Sequence, residues 1–385
     1  MGEAMAASVS VICLALASVG CTYMLAATLI LARTLRVLPS AAGRYPAVTI
    51  LKPLHGAELE LYENLASFCD QDYPSSVQIL FGVQDRDDPA IAVVQNLMAH
   101  YTERDLELVV DPRLHGPNRK VGNLTNLESR IKHEVVIVAD SDIRVESDYL
   151  ARVTAVLQES SVGLVTCLYR GRAAGRLWAH IACLAIDCHF LPSALVGLWL
   201  GLARPCFGST IALRRATLAQ IGGFAAFARY LADDNAIGEA VRRAGMEVAI
   251  PQLLVTHVCT ERSFADLMHH QLRAARTIRV VAPWGFAGSV VTYPLPLALL
   301  GTIVSGFDPI ALTVLAAVVF CRLVLQVRVD HTLRVSPPRW WLSPLADLLL
   351  FAVFVASFFM TRVSWRGYRY KVLADGTLMN LSDAR

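Results

Sequence analysis

The sequence contains little charge and lacks the residue patterns that mark zinc-binding or nucleic-acid-binding modules. Only 17% of its 385 residues are Asp, Glu, Lys or Arg, whereas ordinary soluble domains contain about 25%. The net charge is +3, and no basic cluster alternates with aromatic residues, which argues against nucleic acid as a partner. The nine cysteines show no CxxC pair or zinc-type spacing. Most lie in apolar runs, which favours reduced cysteines packed in a core.

The apolar residues, 55% of the chain, are concentrated at its two ends. Residues 4–32 carry no charge and exceed the roughly 20 residues that cross a hydrocarbon core, so we predict an N-terminal transmembrane helix. A cleaved signal peptide would have a shorter apolar core behind a basic segment. Arg33, Arg36 and Arg44 follow this stretch, whereas only Glu3 precedes it. By the positive-inside rule, this asymmetry predicts that the following part of the chain is cytoplasmic.

A second membrane region is predicted over residues 285–361. It contains apolar segments near 286–306 and 309–327 and a third run over 342–361. Pro294 and Pro296 predict a kinked or broken helix in the first of these segments. Three full crossings would place the basic tail, residues 362–385, outside the cell. One of the three segments is therefore expected to re-enter the membrane or to lie in its interface, and the sequence does not say which.

Between these regions, residues 46–280 alternate short β-rich runs with helical periodicity. The predicted strands are 48–51, 78–83, 106–110, 135–139 and 163–167, and the predicted helices include 60–68, 89–100 and 123–131. Such alternation is typical of an α/β domain with a mostly parallel sheet and helices on both faces. In these sheets, ligands bind beyond the carboxyl ends of the strands. Functional residues are therefore expected at those ends.

Acidic residues follow two of the predicted strands. Asp85 lies two residues after the end of the second strand, and Asp140 and Asp142 follow the fourth. Two carboxylates in an Asp-x-Asp pattern are suitable ligands for a divalent cation, Mg²⁺ or Mn²⁺, that holds a diphosphate. The alternative is an ordinary acidic turn, since Asp and Ser are common turn residues. Their position after a buried strand favours the cation site.

Two later motifs each allow two interpretations. Asp233 and Asp234 precede a helical stretch and either cap that helix or supply a general base that accepts a proton from an attacking hydroxyl. Arg273, Arg276 and Arg279 follow at three-residue spacing. They form either a basic helix face on anionic lipid or, in part, a clamp for a diphosphate leaving group.

Residues 178–202 are unusually apolar for a cytoplasmic domain. They form either a buried pair of core helices or a segment that lies in the membrane interface and guides a lipid, and their length favours the interface. Lys120 either contacts the phosphates of a donor or is a solvated surface lysine.

With these residues in view, the chain resembles the ceramide glucosyltransferase family, and within it the bacterial branch associated with hopanoid biosynthesis. The matching stretches are 51–56, 83–91, 140–145, 206–210, 233–234 and 364–370. The resemblance implies a GT-A (Rossmann-like) domain flanked by transmembrane helices, with the catalytic part on the cytoplasmic side of a bacterial inner membrane. It also implies transfer of glucose or N-acetylglucosamine from a UDP-sugar to a lipid hydroxyl, on either ceramide or a hopanoid polyol.

The resemblance further assigns roles to individual residues. Asp85 would contact the nucleoside, Asp140 and Asp142 would hold the metal and the diphosphate, and Asp234 would be the base of an inverting transfer. A (Q/R)xxRW box falls on His270, Arg273 and Ala274, with Arg273 at the leaving group. The residues matching positions near the substrate are His189 and Cys206.

This box departs from the family pattern, because Ala274 stands where the family has Trp and a large apolar wall is therefore missing. Two other functions stay open. One is a processive polysaccharide synthase, because such enzymes also combine acidic motifs with an Arg-Trp box. The other, suggested by Ala274, is a homologue that binds its ligands without turnover.

Overall fold

The computed structural model describes residues 2–34, 44–335, 339–359, 362–365, 368–372 and 376–380. It divides into two compact units. The first, which we call the helical unit, contains Met1–Arg36, Gly175–Arg204 and Glu261–Met360. The second, the α/β unit, contains Val37–Ala174, Pro205–Thr260 and Thr361–Arg385.

The secondary-structure elements are numbered along the chain. The strands are β1 Val48–Pro53, β2 Val77–Val83, β3 Asp105–Val110, β4 Val135–Val138, β5 Ile143–Arg144, β6 Val162–Val165, β7 Leu168–Ala173, β8 Ile211–Arg214, β9 Glu247–Ala249, β10 Leu254–Cys259, β11 Arg362–Trp365, β12 Tyr368–Val372 and β13 Leu378–Asn380. The helices are α1 Gly2–Thr34, α2 Leu61–Cys69, α3 Ala90–His100, α4 Arg119–Glu128, α5 Tyr149–Leu157, α6 Leu177–Ala185, α7 Leu191–Trp199, α8 Arg215–Gln220, α9 Asp233–Arg243, α10 Phe264–Val281, α11 Pro283–Gly288, α12 Pro294–Val304, α13 Pro309–Leu333 and α14 Ser343–Phe359.

The α/β unit is built on a seven-stranded sheet with the order β3-β2-β1-β4-β8-β6-β9. Strands β3, β2, β1 and β4 are parallel to one another, whereas β8 runs antiparallel to both β4 and β6. The five strands predicted from the sequence are all present, and the sheet is mostly parallel as predicted. The antiparallel strand β8, which lies beside β4 at the centre of the sheet, was not predicted.

Helices cover both faces of this sheet, and alternate residues of each strand contribute to two separate cores. In β1, Ile50 packs in one core with Leu65 of α2, and Leu51 packs in the other with Leu124 of α4 and Ile237 of α9. This pattern follows from the two-residue period of a strand, which directs neighbouring side chains to opposite faces. The alternation explains why β1 is buried along its whole length.

The α/β unit also contains two three-stranded sheets, with the orders β5-β10-β7 and β11-β12-β13. The last described segment contacts the chain just before α9, because the backbone N–H of Leu378 donates to the Arg229 carbonyl at 2.7 Å and that of Leu231 donates to the Gly376 carbonyl at 3.1 Å. Parts of the predicted tail, residues 366–367, 373–375 and 381–385, lie outside the described residues.

The helical unit contains helices that are long and apolar enough to cross a bilayer. Four such helices are present in the part of the chain that the structure describes: Glu3–Thr34, Leu177–Trp199, Pro309–Leu333 and Trp340–Phe359. These helices indicate a membrane protein. A fifth span is possible where Pro283–Thr292 and Pro294–Val304 meet at a bend of 65°. Pro294 begins α12 at this bend, as expected for a residue that cannot donate a helical hydrogen bond.

The apolar stretch predicted over residues 178–202 belongs to the helical unit. It forms one helix of 23 residues, Leu177–Trp199, in which a π-helical turn, Ile186–Phe190, joins α6 to α7. The sequence suggested either a core helix pair or an interfacial segment. The structure adds a third possibility, since this helix is long enough to cross a membrane.

Candidate functional site

The candidate site lies in the α/β unit, where the buried strand β4 ends. Asp140 follows this strand after one residue, and its Oδ1 accepts a hydrogen bond from Lys120 Nζ at 2.6 Å. Lys120 lies in the first turn of α4, whose N-cap residue Asn118 accepts a hydrogen bond from the Val121 amide. The lysine is buried, so it is not a solvated surface residue. Its position next to Asp140 brings a cation and a carboxylate together at the sheet edge.

Charge around Lys120 keeps its ammonium group protonated. Burial alone would lower the pKa of Lys120, but the carboxylates of Asp140, Asp233 and Asp234 outweigh this effect and raise it. Asp233 Oδ2 lies 3.5 Å from Lys120 Nζ, and Asp233 Oδ1 accepts from Asn118 Nδ2 at 3.1 Å. Asp233 therefore holds α4 in place from the start of α9.

Asp234 has different contacts from its neighbour. Its Oδ2 accepts from the Gly208 backbone N–H at 2.9 Å, and its Oδ1 accepts from the Asn235 backbone N–H at 2.7 Å. No side chain caps α9, since its N-cap residue is Ala232. Burial, followed by the nearby Asp233 carboxylate, raises the pKa of Asp234 to about 6. A carboxylate with a pKa near the working pH is suited to accept a proton from a substrate.

Gly208 lies where these groups converge. A Cβ atom at this position would lie 2.9 Å from Asp140 Oδ2, 3.1 Å from Lys120 Nζ and 3.6 Å from Asp234 Oδ2. Three charged groups, from α4, from the loop after β4 and from α9, therefore surround one glycine. The sequence predicted the three charged residues as site residues, but it did not predict a role for the glycine.

Lys52 is a second residue to which the sequence assigned no role. It is fully buried in β1, its Nζ donates to the backbone carbonyl of Asp140 at 2.6 Å, and it lies 3.9 Å from the centre of the Phe68 ring. Burial lowers the pKa of Lys52 to about 7. The signal in the sequence was a lysine within an otherwise apolar strand, a position at which a charge is rarely buried without a partner.

Asp142 lies two residues after Asp140 in the same loop. Its Oδ2 is 3.6 Å from His257 Nδ1 in β10, and its shielded Oδ1 has no hydrogen-bond partner among the described residues. Across the described ranges, no three His, Cys, Asp or Glu side chains are grouped as metal ligands. The carboxylates of Asp140 and Asp142 are oxygen donors of the type that Mg²⁺ uses, since this cation is commonly bound through one or two carboxylates and completes its shell with water and substrate phosphates. A cation at this pair remains a prediction.

Asp85 lies at the end of β2, which is separated from β4 by β1. Its side chain is exposed, and its Oδ1 accepts from the Asp87 backbone N–H at 3.0 Å. The buried acid of this motif is Asp88, which accepts from the amides of Gly56 and Ala90. Asp85 thus occupies the same edge of the sheet as Asp140 and is open to solvent, whereas Asp88 stabilises the local backbone.

Cys206 also belongs to the α/β unit, where it is buried in a core cluster. It lies 2.7 Å from the position that a Cβ atom on Gly238 of α9 would occupy. Burial raises the pKa of the Cys206 thiol, so this cysteine is protonated and packs beneath α9.

The other predicted site residues lie in the helical unit. His189, in the π-helical turn, has its Nε2 3.2 Å from Thr292 Oγ1 and its ring centre 4.4 Å from that of Tyr293. His270, in α10, has its Nδ1 2.8 Å from Glu261 Oε1. Arg273 lies one turn further along α10. The roles assigned to these three residues remain predictions.

Comparison with known proteins relates the chain to glycosyltransferases along most of its length. The sequence model described as glycosyl transferase family 21 matches residues 11–378. Ceramide glucosyltransferase 3 of Caenorhabditis elegans is 27% identical over 241 residues, which are 57% of this chain and 49% of that protein. Ceramide glucosyltransferase of Candida albicans is 36% identical over 118 residues, 28% of this chain and 22% of that protein. The chain thus spans half or less of the length of these curated relatives.

Among solved structures, a mannosyltransferase of Pyrobaculum calidifontis in complex with GDP-Man and Mn²⁺ is similar with a TM-score of 0.53 and 20% identity. The match covers 91% of this chain and 99% of that one. This similarity shows a shared fold and confirms the predicted GT-A architecture with flanking apolar helices.

Proposed function

Because this chain belongs to glycosyl transferase family 21, we propose that it transfers a sugar from a nucleoside diphosphate sugar to a hydroxyl group of a membrane lipid. The observation that carries this proposal is the convergence of Lys120, Asp140 and Asp234 around Gly208. A cation, a candidate metal ligand and a carboxylate with a raised pKa lie together where parallel α/β sheets bind their ligands. The apolar helices supply the membrane location.

In the proposed mechanism, Asp234 accepts the proton of the attacking lipid hydroxyl, and the resulting oxygen nucleophile displaces the nucleoside diphosphate in a single inverting step. The Gly208 amide holds the Asp234 carboxylate in position for this transfer. Asp140 and Asp142 would hold a divalent cation, Mg²⁺ or Mn²⁺, and such a cation would neutralise negative charge on the leaving diphosphate. Lys120 and Lys52 fix the side chain and the backbone of Asp140, respectively.

The finer assignments are also proposals. The names of the relatives favour glucose as the sugar and ceramide as the acceptor, whereas a UDP donor, N-acetylglucosamine and a hopanoid polyol are supported only by the sequence resemblance. Asp85 at the nucleoside, Arg273 at the leaving group, and His189, Cys206 and His270 near the acceptor are proposed on the same basis. A cytoplasmic catalytic unit in a bacterial inner membrane is proposed on this basis as well.

Mass spectrometry of lipid extracts from cells with and without this chain would identify the acceptor and the sugar together. We expect a lipid that carries one added sugar, and Asp234→Asn is expected to reduce its formation by at least about 100-fold, a typical contribution of a general base. Asp148→Asn is the matched control, because Asp148 is an exposed carboxylate in the same unit. Near-normal transfer by the Asp234 variant would exclude this residue as the base.

Two other outcomes would point to the alternative functions. A long glycan in place of a monoglycosylated lipid would favour a processive polysaccharide synthase. Donor binding without transfer, unchanged by Ala274→Trp, would favour a homologue that does not catalyse the reaction.

A further inference from the structure

Arg276 is a buried arginine in the helical unit whose charge is not balanced by any side chain among the described residues. It lies in α10 and is only 4% exposed. Its Nε and Nη1 atoms are shielded from solvent and have no hydrogen-bond partner within the described part of the chain. Burial of a guanidinium group without a partner is strongly unfavourable. Such a group therefore indicates an anion that binds in the functional state.

Other buried or partly buried arginines of this unit make contacts within the protein. Arg279, one turn after Arg276, donates from Nη1 to the Phe358 carbonyl at 3.3 Å and lies 5.6 Å from the centre of the Phe358 ring. Arg322 in α13 is paired with Asp347 through two hydrogen bonds of 2.7 and 2.8 Å. Arg276 differs from both because no such contact involves its side chain in the described residues.

The residues around Arg276 are of the types found where a membrane protein meets the lipid headgroups. The preceding residue, Ala275, packs against a core cluster that includes Phe286 and Phe354. Further along, Ile278 is half exposed and Trp284 is 89% exposed. Exposed apolar and aromatic residues next to cationic ones are typical of helices at the membrane–water interface. About five residues, or about 7.5 Å of helix, separate Arg276 from the end of α10 at Val281.

We propose that Arg276 is the anchoring residue of a phosphate-binding site in the helical unit. A phosphate group carries negative charge and several acceptor oxygens, and a guanidinium group is the side chain best matched to it. The phosphate is either the headgroup of an anionic lipid or part of a soluble phosphate compound. This site is inferred from residues of the helical unit alone, so it does not depend on the proposed transfer reaction.

If Arg276 binds phosphate, the wild-type chain and Arg276→Gln should change their order of stability when a phosphate ligand is added. A purely structural arginine would not produce this change. In a phosphate-free detergent, Arg276→Gln removes an unpaired buried charge, so the variant is expected to be as stable as the wild-type chain or more stable. With a phosphate ligand present, the wild-type chain gains stability by binding and the variant does not. A structural arginine would give a less stable variant under both conditions.

The test is a thermal unfolding titration of the full-length chain in dodecyl maltoside. One arm adds phosphatidylglycerol, with dioleoylglycerol as the lipid without phosphate, and the other arm adds inorganic pyrophosphate. We expect Arg276→Gln to weaken the apparent affinity for the phosphate compound by at least about tenfold, with dioleoylglycerol inactive. A response in the lipid arm alone identifies a headgroup as the source, and a response to pyrophosphate identifies a soluble phosphate.

Arg262→Gln is the matched control, because it removes the same charge from an exposed position just before α10. It is expected to respond as the wild-type chain does. If Arg276→Gln does not fold, Arg276→Met provides the same comparison with a side chain of similar length. Equal responses of the wild-type chain and the Arg276 variant in both arms, or no response of the wild-type chain in either, would overturn the proposal.

Discussion

At the scale of single residues, Gly208 leaves the space that the ion pair between Lys120 and Asp140 occupies. A methyl group on Gly208 would approach Asp140 Oδ2 to 2.9 Å and Lys120 Nζ to 3.1 Å, so one of the two must move. We expect Gly208→Ala to lower kcat by about tenfold or more, since displacements of about 1 Å can reduce catalysis by about 100-fold. Steady-state transfer assays and thermal unfolding would check this.

Gly288→Ala is a suitable control for this substitution. Gly288 ends α11, and beyond its own helix no atom of the described residues lies within 4 Å of the position that its Cβ atom would take. The two variants thus make the same chemical change in a crowded and in an open position. Unchanged transfer by Gly208→Ala would show that the ion pair adjusts without consequence for the reaction.

The pH dependence of transfer tests the protonation state of Asp234. Its pKa is raised to about 6, chiefly by burial, and a general base must be deprotonated to act. Activity should therefore be constant well above pH 6 and fall about tenfold per pH unit below it, because each unit protonates a further tenfold share of the base. A profile of kcat between pH 4.5 and 8 would reveal this inflection. A profile that stays flat to pH 4.5 would contradict the assignment.

The sequence predicted the charged residues of this site but not the residues that hold them. Asp140 and Asp234 were visible because each lies at the boundary of a predicted strand or helix. Lys52 and Gly208 act through contacts with residues far along the chain, such as the hydrogen bond from Lys52 to the Asp140 carbonyl. Spacing along one sequence does not report such contacts, since only the folded chain brings these positions together.

At the scale of secondary-structure elements, a buried ion pair joins α13 to α14. Arg322 donates from Nε and Nη2 to the two oxygens of Asp347, and its Nη1 donates to the Cys188 carbonyl in the π-helical turn at 3.3 Å. Three helical segments therefore meet at one guanidinium group. A π-helical turn releases carbonyl groups from the regular ladder, and Arg322 satisfies one of them.

Asp347→Asn is expected to destabilise the helical unit by about 3–5 kcal/mol, because it leaves the buried Arg322 charge without a counter-ion. Thermal or denaturant unfolding in detergent would measure the loss. Asp308→Asn is the matched control, since Asp308 is an exposed N-cap of α13 that accepts from the Ile310 amide and Asn caps helices equally well. Equal stability of the two variants would show that the ion pair contributes little.

Element prediction succeeded where the signal was local and failed where it was not. Strands β1, β2, β3, β4 and β6 were predicted from short β-rich runs, and the bend before α12 was predicted from Pro294 and Pro296. Strand β8 is only four residues long, and its place between β4 and β6 depends on pairing across the sheet. The assignment of Leu177–Trp199 to the helical unit likewise depends on tertiary contacts that sequence periodicity does not contain.

At the scale of the whole molecule, the distribution of charge around α1 predicts its orientation in the membrane. Glu3 lies in the first turn of this helix and Arg33 in the last, with Arg44 shortly after. By the positive-inside rule, this asymmetry predicts that the N-terminus is outside and that the α/β unit is cytoplasmic. This orientation also gives the site access to a cytoplasmic nucleotide sugar, which the proposed reaction requires.

Single cysteines at two exposed positions would test this orientation with a membrane-impermeant maleimide. We expect Glu3→Cys to be labelled in intact cells and Asp148→Cys to be labelled only after the membrane is permeabilised, because Asp148 is an exposed residue of the α/β unit. The wild-type chain is the control for background, and most of its described cysteines are buried, where thiolates form poorly. Labelling of position 148 in intact cells, with position 3 protected, would reverse the orientation. The catalytic unit would then face away from the cytoplasmic pool of nucleotide sugars, and the proposed donor would have to be replaced by one available outside the cell.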